Sequence, residues 1–464
     1  MKKAAPYLFV VGLFLLMACG DMLTRGMFMD GLIYSGVAKS MSQGIGSFWH
    51  PSYTLTNFAF FYEHPPMMMW LMSLWFRLTG PSILAAKMYA AIVTIVCAVL
   101  MVGVWRRMGG KAQLSWLPLL MCTLIPPVSH FANNNVLEFT MGMFVLASVW
   151  CMLGDKLPWL GHLLGGLLLA CAFLTKGFTG LFPLALPALI WIMRAKPGRK
   201  LGNTIWLTLL VVAGTELPIF AIVLLNPDAA EFLQRYLDHQ VLGGMHVQTV
   251  DSRFYVIVRF FTHTAILWLL MAVVLVLGHV SKEPTLRVGS VLQGNPMAWT
   301  MLVLALCGVV PMMISTKQRD FYLLTAFPFM ALSAAALVQP YVERCCQWLH
   351  SRAVVVVAIV VAVLGVAANA YMCGKPGRDN ALIQDMDVIL PQLAEGETVT
   401  IPAPLAYRYN LQGYYYMNGG VSLDTRNKHR HLLTTAEYPA DSSYREVPLP
   451  TKEYKLYEQI TETI

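Results

Sequence analysis

Two carboxylates, a histidine and a pair of cations stand in short polar stretches of an otherwise apolar chain. In Asp30-Gly31-Leu32-Ile33-Tyr34, the spacing of four brings Asp30 and Tyr34 to one face of a helix. The plainer alternative for Asp30 is a helix cap. Phe61-Tyr62-Glu63-His64-Pro65-Pro66 sets a Glu-His pair before a double proline, which fixes the backbone and suits the first turn of a helix. Glu and His are both ligands for divalent metals, or else simply anchor the following helix. Lys317 and Arg319 flank Gln318 in Ser315-Thr316-Lys317-Gln318-Arg319-Asp320. Arg suits bidentate phosphate binding and Lys acts as a point charge, with interfacial snorkelling as the plainer reading. A further polar stretch carries Arg235, Asp238, His239, His246 and Arg253.

The elements that must position these residues lie in a membrane. Of 464 residues, 57% are hydrophobic and 12% charged, where a soluble protein has about 25% charged residues. This excludes a soluble enzyme, a disordered chain and a nucleic-acid-binding domain. The net charge of +8 reads as Lys and Arg retained in cytoplasmic loops. Most of the nine cysteines lie in apolar runs, Cys345 and Cys346 in a basic loop, and no metal or disulfide spacing appears. Leu16-Met17-Ala18-Cys19 resembles a lipoprotein cleavage box, but the first apolar run is read as a retained span because polar residues begin directly after it.

Apolar runs predict about eleven spans, at 5–22, 82–104, 113–131, 136–153, 159–174, 179–194, 204–225, 256–279, 297–315, 321–338 and 353–372. With Lys2 and Lys3 inside, the inner loops carry Arg106, Arg107 and Lys111; Lys156; Arg194, Lys196, Arg199 and Lys200; Lys282 and Arg287; and Arg344 and Arg352. Every loop placed inside is basic, as the positive-inside rule requires. The N-terminus is thus expected in the cytoplasm. Two loops, 23–81 and 226–255, and the tail from Gly374 are expected outside. The chain therefore reads as an all-α polytopic membrane domain, 1–373, followed by a small soluble α/β domain, 374–464. That domain is expected to hold helices near 380–394 and 404–416 and strands near 397–401 and 454–459. Tyr414-Tyr415-Tyr416 reads as its core.

Asp-x-x-x-Tyr after the first span, followed by Tyr62-Glu63-His64-Pro65-Pro66 in the same loop, resembles the GT-C glycosyltransferases. More narrowly, it is similar to the group holding the lipid A aminoarabinose transferases and the protein mannosyltransferases. The Lys176-Gly177 turn in Leu174–Gly180, the segment Lys317 to Leu324, and Glu138 at the start of the fourth span extend the resemblance over about residues 5–340. It departs at Gly31, where the aminoarabinose transferases carry Glu, at Ile33, where they carry Arg, and at His64, where they carry Lys.

The resemblance implies transfer of one sugar from a polyprenyl-phosphate donor to a lipid, glycan or protein acceptor, at the outer face of the inner membrane. No nucleotide is implied, because the phosphate carrier is itself the leaving group. By the same analogy Asp30 would be the general base, and Glu63 would organise the phosphate site or bind one divalent metal ion. His246 or His239 would be the metal partner, with neither preferred. Lys317 and Arg319 would hold phosphate, and Tyr34, Tyr62, His64, Lys176, Arg253 and Tyr322 would complete the substrate contacts. His64 would donate more strongly if protonated. The apolar face near Met67–Leu71 would wall the donor's tail. The competing reading is a transporter or lipid flippase, which calls for charged residues at mid-span and matching broken helices. Only Glu216, before Pro218, fits that pattern.

Overall fold

The computed structural model describes residues 4–280, 283, 286–344 and 351–460, with backbone alone at 245 and 246. Lys2, Lys3, Lys282, Cys345, Cys346 and the His246 side chain lie outside the described residues. All eleven apolar runs are helical. In chain order the helices are α1 (Ala5–Ala18), α2 (Met29–Ser42), α3 (Met67–Thr79), α4 (Ile83–Arg107), α5 (Trp116–Thr123), α6 (Pro126–Phe131), α7 (Leu137–Met152), α8 (Pro158–Lys176) and α9 (Leu186–Ile192). They continue with α10 (Leu201–Leu225), α11 (Pro227–Tyr236), α12 (Tyr255–His263), α13 (Ala265–Val280), α14 (Val288–Gln293), α15 (Pro296–Val309), α16 (Phe327–Arg344) and α17 (Arg352–Met372).

Among the described residues, five helices are long and apolar enough to cross a membrane: α4, α8 with its following turn, α10, α15 with its following turn, and α17. The pair α12–α13, bent by 59°, makes a sixth, while α1, α7 and Phe182–Ile192 are shorter apolar helices. The run 113–131 is broken into α5 and α6 where Pro126 and Pro127 interrupt it, since proline removes a backbone donor and clashes with the preceding turn. Glu216 is exposed on the outside of α10, away from the cavity described below.

The centre of the bundle is α16, whose residues from Phe329 to Val338 are all buried. A helix apolar all round belongs inside. At the periphery α1 lies against α17, where a Cβ on Gly12 would come within 2.6 Å of the Ala362 backbone. Asn369 Nδ2 donates to the Leu15 carbonyl at 2.7 Å across this contact. Small residues and interhelical hydrogen bonds are what hold membrane helices together, so the first apolar run is an integral part of the bundle.

The last described part is a sheet domain with helices α18 (Asn380–Ile389) and α19 (Tyr409–Gly419) and strands β1 (Thr398–Thr400), β2 (Ser422–Asp424), β3 (His431–Thr435), β4 (Tyr444–Glu446) and β5 (Tyr454–Gln459). The strand order is β2-β1-β3-β5-β4, with β1 parallel to both neighbours and β3, β5 and β4 antiparallel. Strands β2, β3 and β4 were not anticipated from the sequence; β2 and β3 are buried at every position, so they carry no buried–exposed alternation. Tyr414, Tyr415 and Tyr416 are core, as expected.

This domain grips the 23–81 loop. The Met27 N–H donates to Tyr414 Oη at 2.9 Å, and Tyr53 Oη donates to the Tyr409 carbonyl at 2.9 Å. Lys39, on α2 and 7% exposed, donates to the carbonyls of Tyr416 (2.6 Å) and Met417 (3.2 Å), which end α19. A cation at a helix C-terminus meets both its unpaired carbonyls and its dipole. Lys39→Met should therefore cost about 1.5–3 kcal/mol, read as a lower unfolding temperature of the purified protein. An unchanged temperature would mean that the domain docks without this contact.

Candidate active site

The residues singled out by type converge on one cavity of about 380 Å³ at the end of the bundle that carries the sheet domain. Helix α2 supplies Asp30 and Tyr34, the turn before α3 supplies Glu63 and His64, and the segment between α15 and α16 supplies Lys317 and Tyr322. Glu138 enters from the first turn of α7 and Lys176 from the last turn of α8. The rim is apolar: Phe178, Val241, Pro311, Met312 and Ile314. Phe178 and Ile314 are exposed, so the cavity opens sideways beside the spans.

Several of these side chains, and the backbone around them, are held by identifiable contacts. Asp30 is not a cap: α2 begins at Met29, Phe28 holds the N-cap position, and no side chain caps it. The Phe28 N–H instead donates to Asn134 Oδ1 at 2.9 Å. Gly31, the departure from the family pattern, has a steric cause: a Cβ there would lie 1.9 Å from the Asn134 carbonyl oxygen. Lys176 Nζ pairs with Glu138 Oε1, both residues being buried, and lies 4.2 Å from the centre of the Tyr322 ring. Gly177 follows at φ +76°, where a Cβ would meet Tyr236 Oη at 2.0 Å. Only glycine satisfies both demands.

Lys317 Nζ donates to Gln240 Oε1 at 2.7 Å. Its loop is stapled by Gln318, which is 1% exposed. Gln318 Nε2 donates to the carbonyls of Ser315 (2.7 Å), Arg253 (3.0 Å) and Met312 (3.2 Å), and its Oε1 accepts from the Val256 N–H at 2.9 Å. Sequence reasoning passed over Gln318, Gln240 and Asn134, since an uncharged amide between cations gives no sign of the carbonyls it will meet.

Charge is nearly balanced here, with Asp30, Glu63 and Glu138 facing Lys176, Lys317 and the nearby Arg319. Burial raises the Asp30 pKa from its ordinary value, opposed by Lys176 and Arg319. Burial likewise raises Glu63, opposed by Lys317 and reinforced by Asp30. Burial lowers Lys317, with Glu63 opposing. Burial, then Lys176 and Lys317, drives His64 well below the usual imidazole value. His64 is therefore neutral at pH 7, and its buried Nδ1 makes no hydrogen bond.

Other expected contacts lie elsewhere. Tyr62 stacks on Phe60 and lies 4.9 Å from the Arg235 guanidinium, outside the cavity lining. The Arg253 and His239 side chains are exposed and also outside it. Arg319 is exposed, close enough to act on Asp30 through its charge. Met68, Met69 and Met72 of α3 are buried in the core with α2, and none of Met67–Leu71 lines the cavity, whose apolar side is Phe178, Val241, Pro311, Met312 and Ile314. Among the described residues no three His, Cys, Asp or Glu side chains assemble as a metal site. Glu63 lies within electrostatic reach of Asp30 and Lys317, and the side chain of His246, one of its two expected metal partners, lies outside the described residues. A test of this geometry is Gly31→Ala, which should displace α2 and cost about 1–3 kcal/mol, measured by thermal unfolding. Wild-type stability in that variant would contradict the close approach to Asn134.

Residues 63–225 match the family model of the dolichyl-phosphate-mannose-protein mannosyltransferases. No curated protein sequence matches the chain. Among solved structures, it is similar to ArnT from Cupriavidus metallidurans bound to undecaprenyl phosphate, with a TM-score of 0.67 and 14% identity over 98% of each chain. The oligosaccharyltransferase of Archaeoglobus fulgidus in its apo form aligns over 89% of this chain and 64% of its own, with a TM-score of 0.53 and 11% identity. The same organism's AglB, in complex with an inhibitory peptide and a dolichol-phosphate, aligns over 93% and 69%, with a TM-score of 0.51 and 9% identity. The chain thus has the GT-C fold of the ArnT and protein mannosyltransferase group, and its residues 63–225 match that group's sequence pattern.

Proposed function

We propose that the chain is an integral-membrane glycosyltransferase that moves a sugar from a polyprenyl-phosphate donor to an acceptor hydroxyl or amine. The observation that carries this is the convergence of Lys317 and Lys176 beside the partly buried Asp30, with Arg319 acting on Asp30 from nearby, in a cavity whose rim opens along the spans. A lipid phosphate placed there meets cations at its head and Phe178, Val241, Met312 and Ile314 along its tail. ArnT was solved with undecaprenyl phosphate and AglB with a dolichol-phosphate, which supports a donor of this chemistry.

The acceptor heteroatom attacks the anomeric carbon, and the carbon–oxygen bond to phosphate breaks with its electron pair leaving on the phosphate. Asp30 takes the acceptor's proton. Lys317, Arg319 and Lys176 stabilise the charge that develops on the departing phosphate. Tyr34, whose hydroxyl burial keeps protonated, and Tyr322 donate hydrogen bonds to substrate oxygens. His64 is a neutral member of the pocket, and Glu63 offsets the charge of Lys317. One displacement inverts the anomeric configuration. No nucleotide is needed, because the carrier phosphate is itself the leaving group.

The site lies at the end of the bundle opposite the basic loops around Arg106, Lys156, Arg199 and Arg344. With the positive-inside rule, this arrangement supports a reading in which the sheet domain and the site are periplasmic and the N-terminus cytoplasmic, in an inner-membrane protein.

Asp30→Asn should lower transfer by about 10²–10⁴-fold while leaving undecaprenyl-phosphate binding intact. Wild-type transfer in that variant would remove Asp30 as the base. Because the Asp30 pKa is raised, kcat/KM should fall on acidification at a pH above the ordinary carboxylate range, as the base becomes protonated. An acid limb at the ordinary value, or none, would contradict the buried base.

A further inference from the structure

The end of the bundle opposite the candidate active site holds a second group of buried polar side chains. His162, in the second turn of α8, is fully buried. Its Nδ1 lies 2.6 Å from the Pro158 carbonyl oxygen, so that nitrogen carries the ring proton and donates. In the neutral ring Nε2 is then a bare acceptor, and it makes no hydrogen bond. Arg199, in the turn before α10, shows the converse, an Nη1 donor shielded from solvent and unpaired. Arg199 and Lys196 both act on His162 through their charges, so the three side chains form one group. Lys196 also fastens that turn to the end of α7, since its Nζ pairs with Asp155 and donates to the Leu153 carbonyl at 2.8 Å. Lys156 and Lys200, both exposed, add positive charge at this end of the bundle.

A buried donor or acceptor without a partner is costly, and here one of each kind stands in the same group. The guanidinium calls for an anion, and the bare nitrogen for a hydroxyl hydrogen. The surroundings belong to a membrane interface. Trp159 at the start of α8 and Trp206 near the start of α10 are half exposed, as are Leu201 and Ile205. Aromatic rings gather at headgroup depth, and basic pockets between membrane helices suit anionic headgroups. At about 1.5 Å per residue, His162 lies about 21 Å along α8 from Lys176, so a ligand here is clear of the candidate active site.

We propose that His162, Lys196 and Arg199 form a headgroup site for an anionic glycerophospholipid of the leaflet that the basic loops face. Its headgroup carries a free hydroxyl, as in phosphatidylglycerol. The phosphodiester accepts from Arg199, a charge-assisted contact, with Lys196 and Lys200 adding attraction. The headgroup hydroxyl donates to His162 Nε2. The acyl chains lie along the exposed apolar residues of α10, Ile205 and Leu209. Because both unpaired atoms are shielded, the headgroup reaches them by displacing the turn at Gly198, which stands at φ +80° with open space beside it. An ethanolamine headgroup sets an ammonium against these cations and is disfavoured. The inference stands apart from the transferase reading and does not depend on it.

The test titrates the full chain, purified in detergent and stripped of lipid, and reads bound molecules by native mass spectrometry. The probes are dioleoylphosphatidylglycerol, dioleoylphosphatidylethanolamine and inorganic phosphate. The proteins are wild type, Arg199→Gln, His162→Leu and, as a control, Arg106→Gln, which removes an exposed cation at the same end but outside the group. A cooperative thermal unfolding transition certifies that each variant is folded. The inference expects wild type to bind phosphatidylglycerol about tenfold or more tighter than phosphatidylethanolamine. It expects Arg199→Gln to weaken that binding about tenfold and His162→Leu about fivefold, the loss of one charged and one neutral hydrogen bond, with Arg106→Gln unchanged. Equal binding of the two lipids overturns it. Equal weakening by Arg106→Gln overturns it too, since lipid is then held by the basic face at large. Weakening in Arg199→Gln with none in His162→Leu overturns the hydroxyl-bearing class. Inorganic phosphate that competes the lipid away at equal concentration overturns the lipid as the ligand and makes this a site for free phosphate.

Discussion

A buried lysine governs the arrangement of this site. Lys176 ends α8 with its ammonium paired to Glu138 and set against the Tyr322 ring, and its charge acts on Asp30, His64 and Lys317. Removing one partner of a buried pair costs about 3–5 kcal/mol, because the other charge is left uncompensated. The backbone is fitted to the pair as well: the chain must turn sharply after Lys176, and Tyr236 leaves room there only for glycine. Three carboxylates and two lysines can then share a small cavity, with Arg319 nearby, their charges partly offsetting one another's desolvation. A phosphate entering such a site is met by cations already in place, which is electrostatic preorganisation in its simplest form.

The rest of the fold serves this cluster by holding loops still. Apolar helices cannot position polar side chains at the membrane boundary unless the segments between them are tied down. Two ties do most of this. The sheet domain clamps α2 through Lys39 and Tyr414, fixing the helix that bears Asp30. Gln318 bonds the Lys317 segment to the loop before α12. Both are buried polar networks, which give rigidity only when their members find partners.

The sequence made the site's charged members legible and its framework much less so. Asp30 and Tyr34 stood out because helical spacing alone puts them together, and Lys317 because a cation in an outer loop runs against the positive-inside trend. Lys176 was marked by the glycine after it. The misplacements share one cause. Tyr62, Arg253 and His239 were assigned by loop membership, but a loop does not dictate which way a side chain points, and these turn outward or into aromatic packing. The double proline did open α3 as expected, yet Met68, Met69 and Met72 pack with α2 instead of lining the cavity. Gln318, Asn134 and Lys39 act through backbone groups far away in sequence, so their importance follows only from tertiary contact. Gly31, a loss when measured against the family pattern, is instead what lets α2 approach Asn134.

The central claim is that this chain transfers a sugar from a lipid phosphate. Its most direct test is mass spectrometry of envelope lipids and glycoproteins from cells with and without the gene. The account predicts that one acceptor loses a single sugar-sized mass when the gene is absent and regains it when the gene is restored. Identical acceptor profiles in the two strains, under conditions in which the protein is expressed, would contradict it.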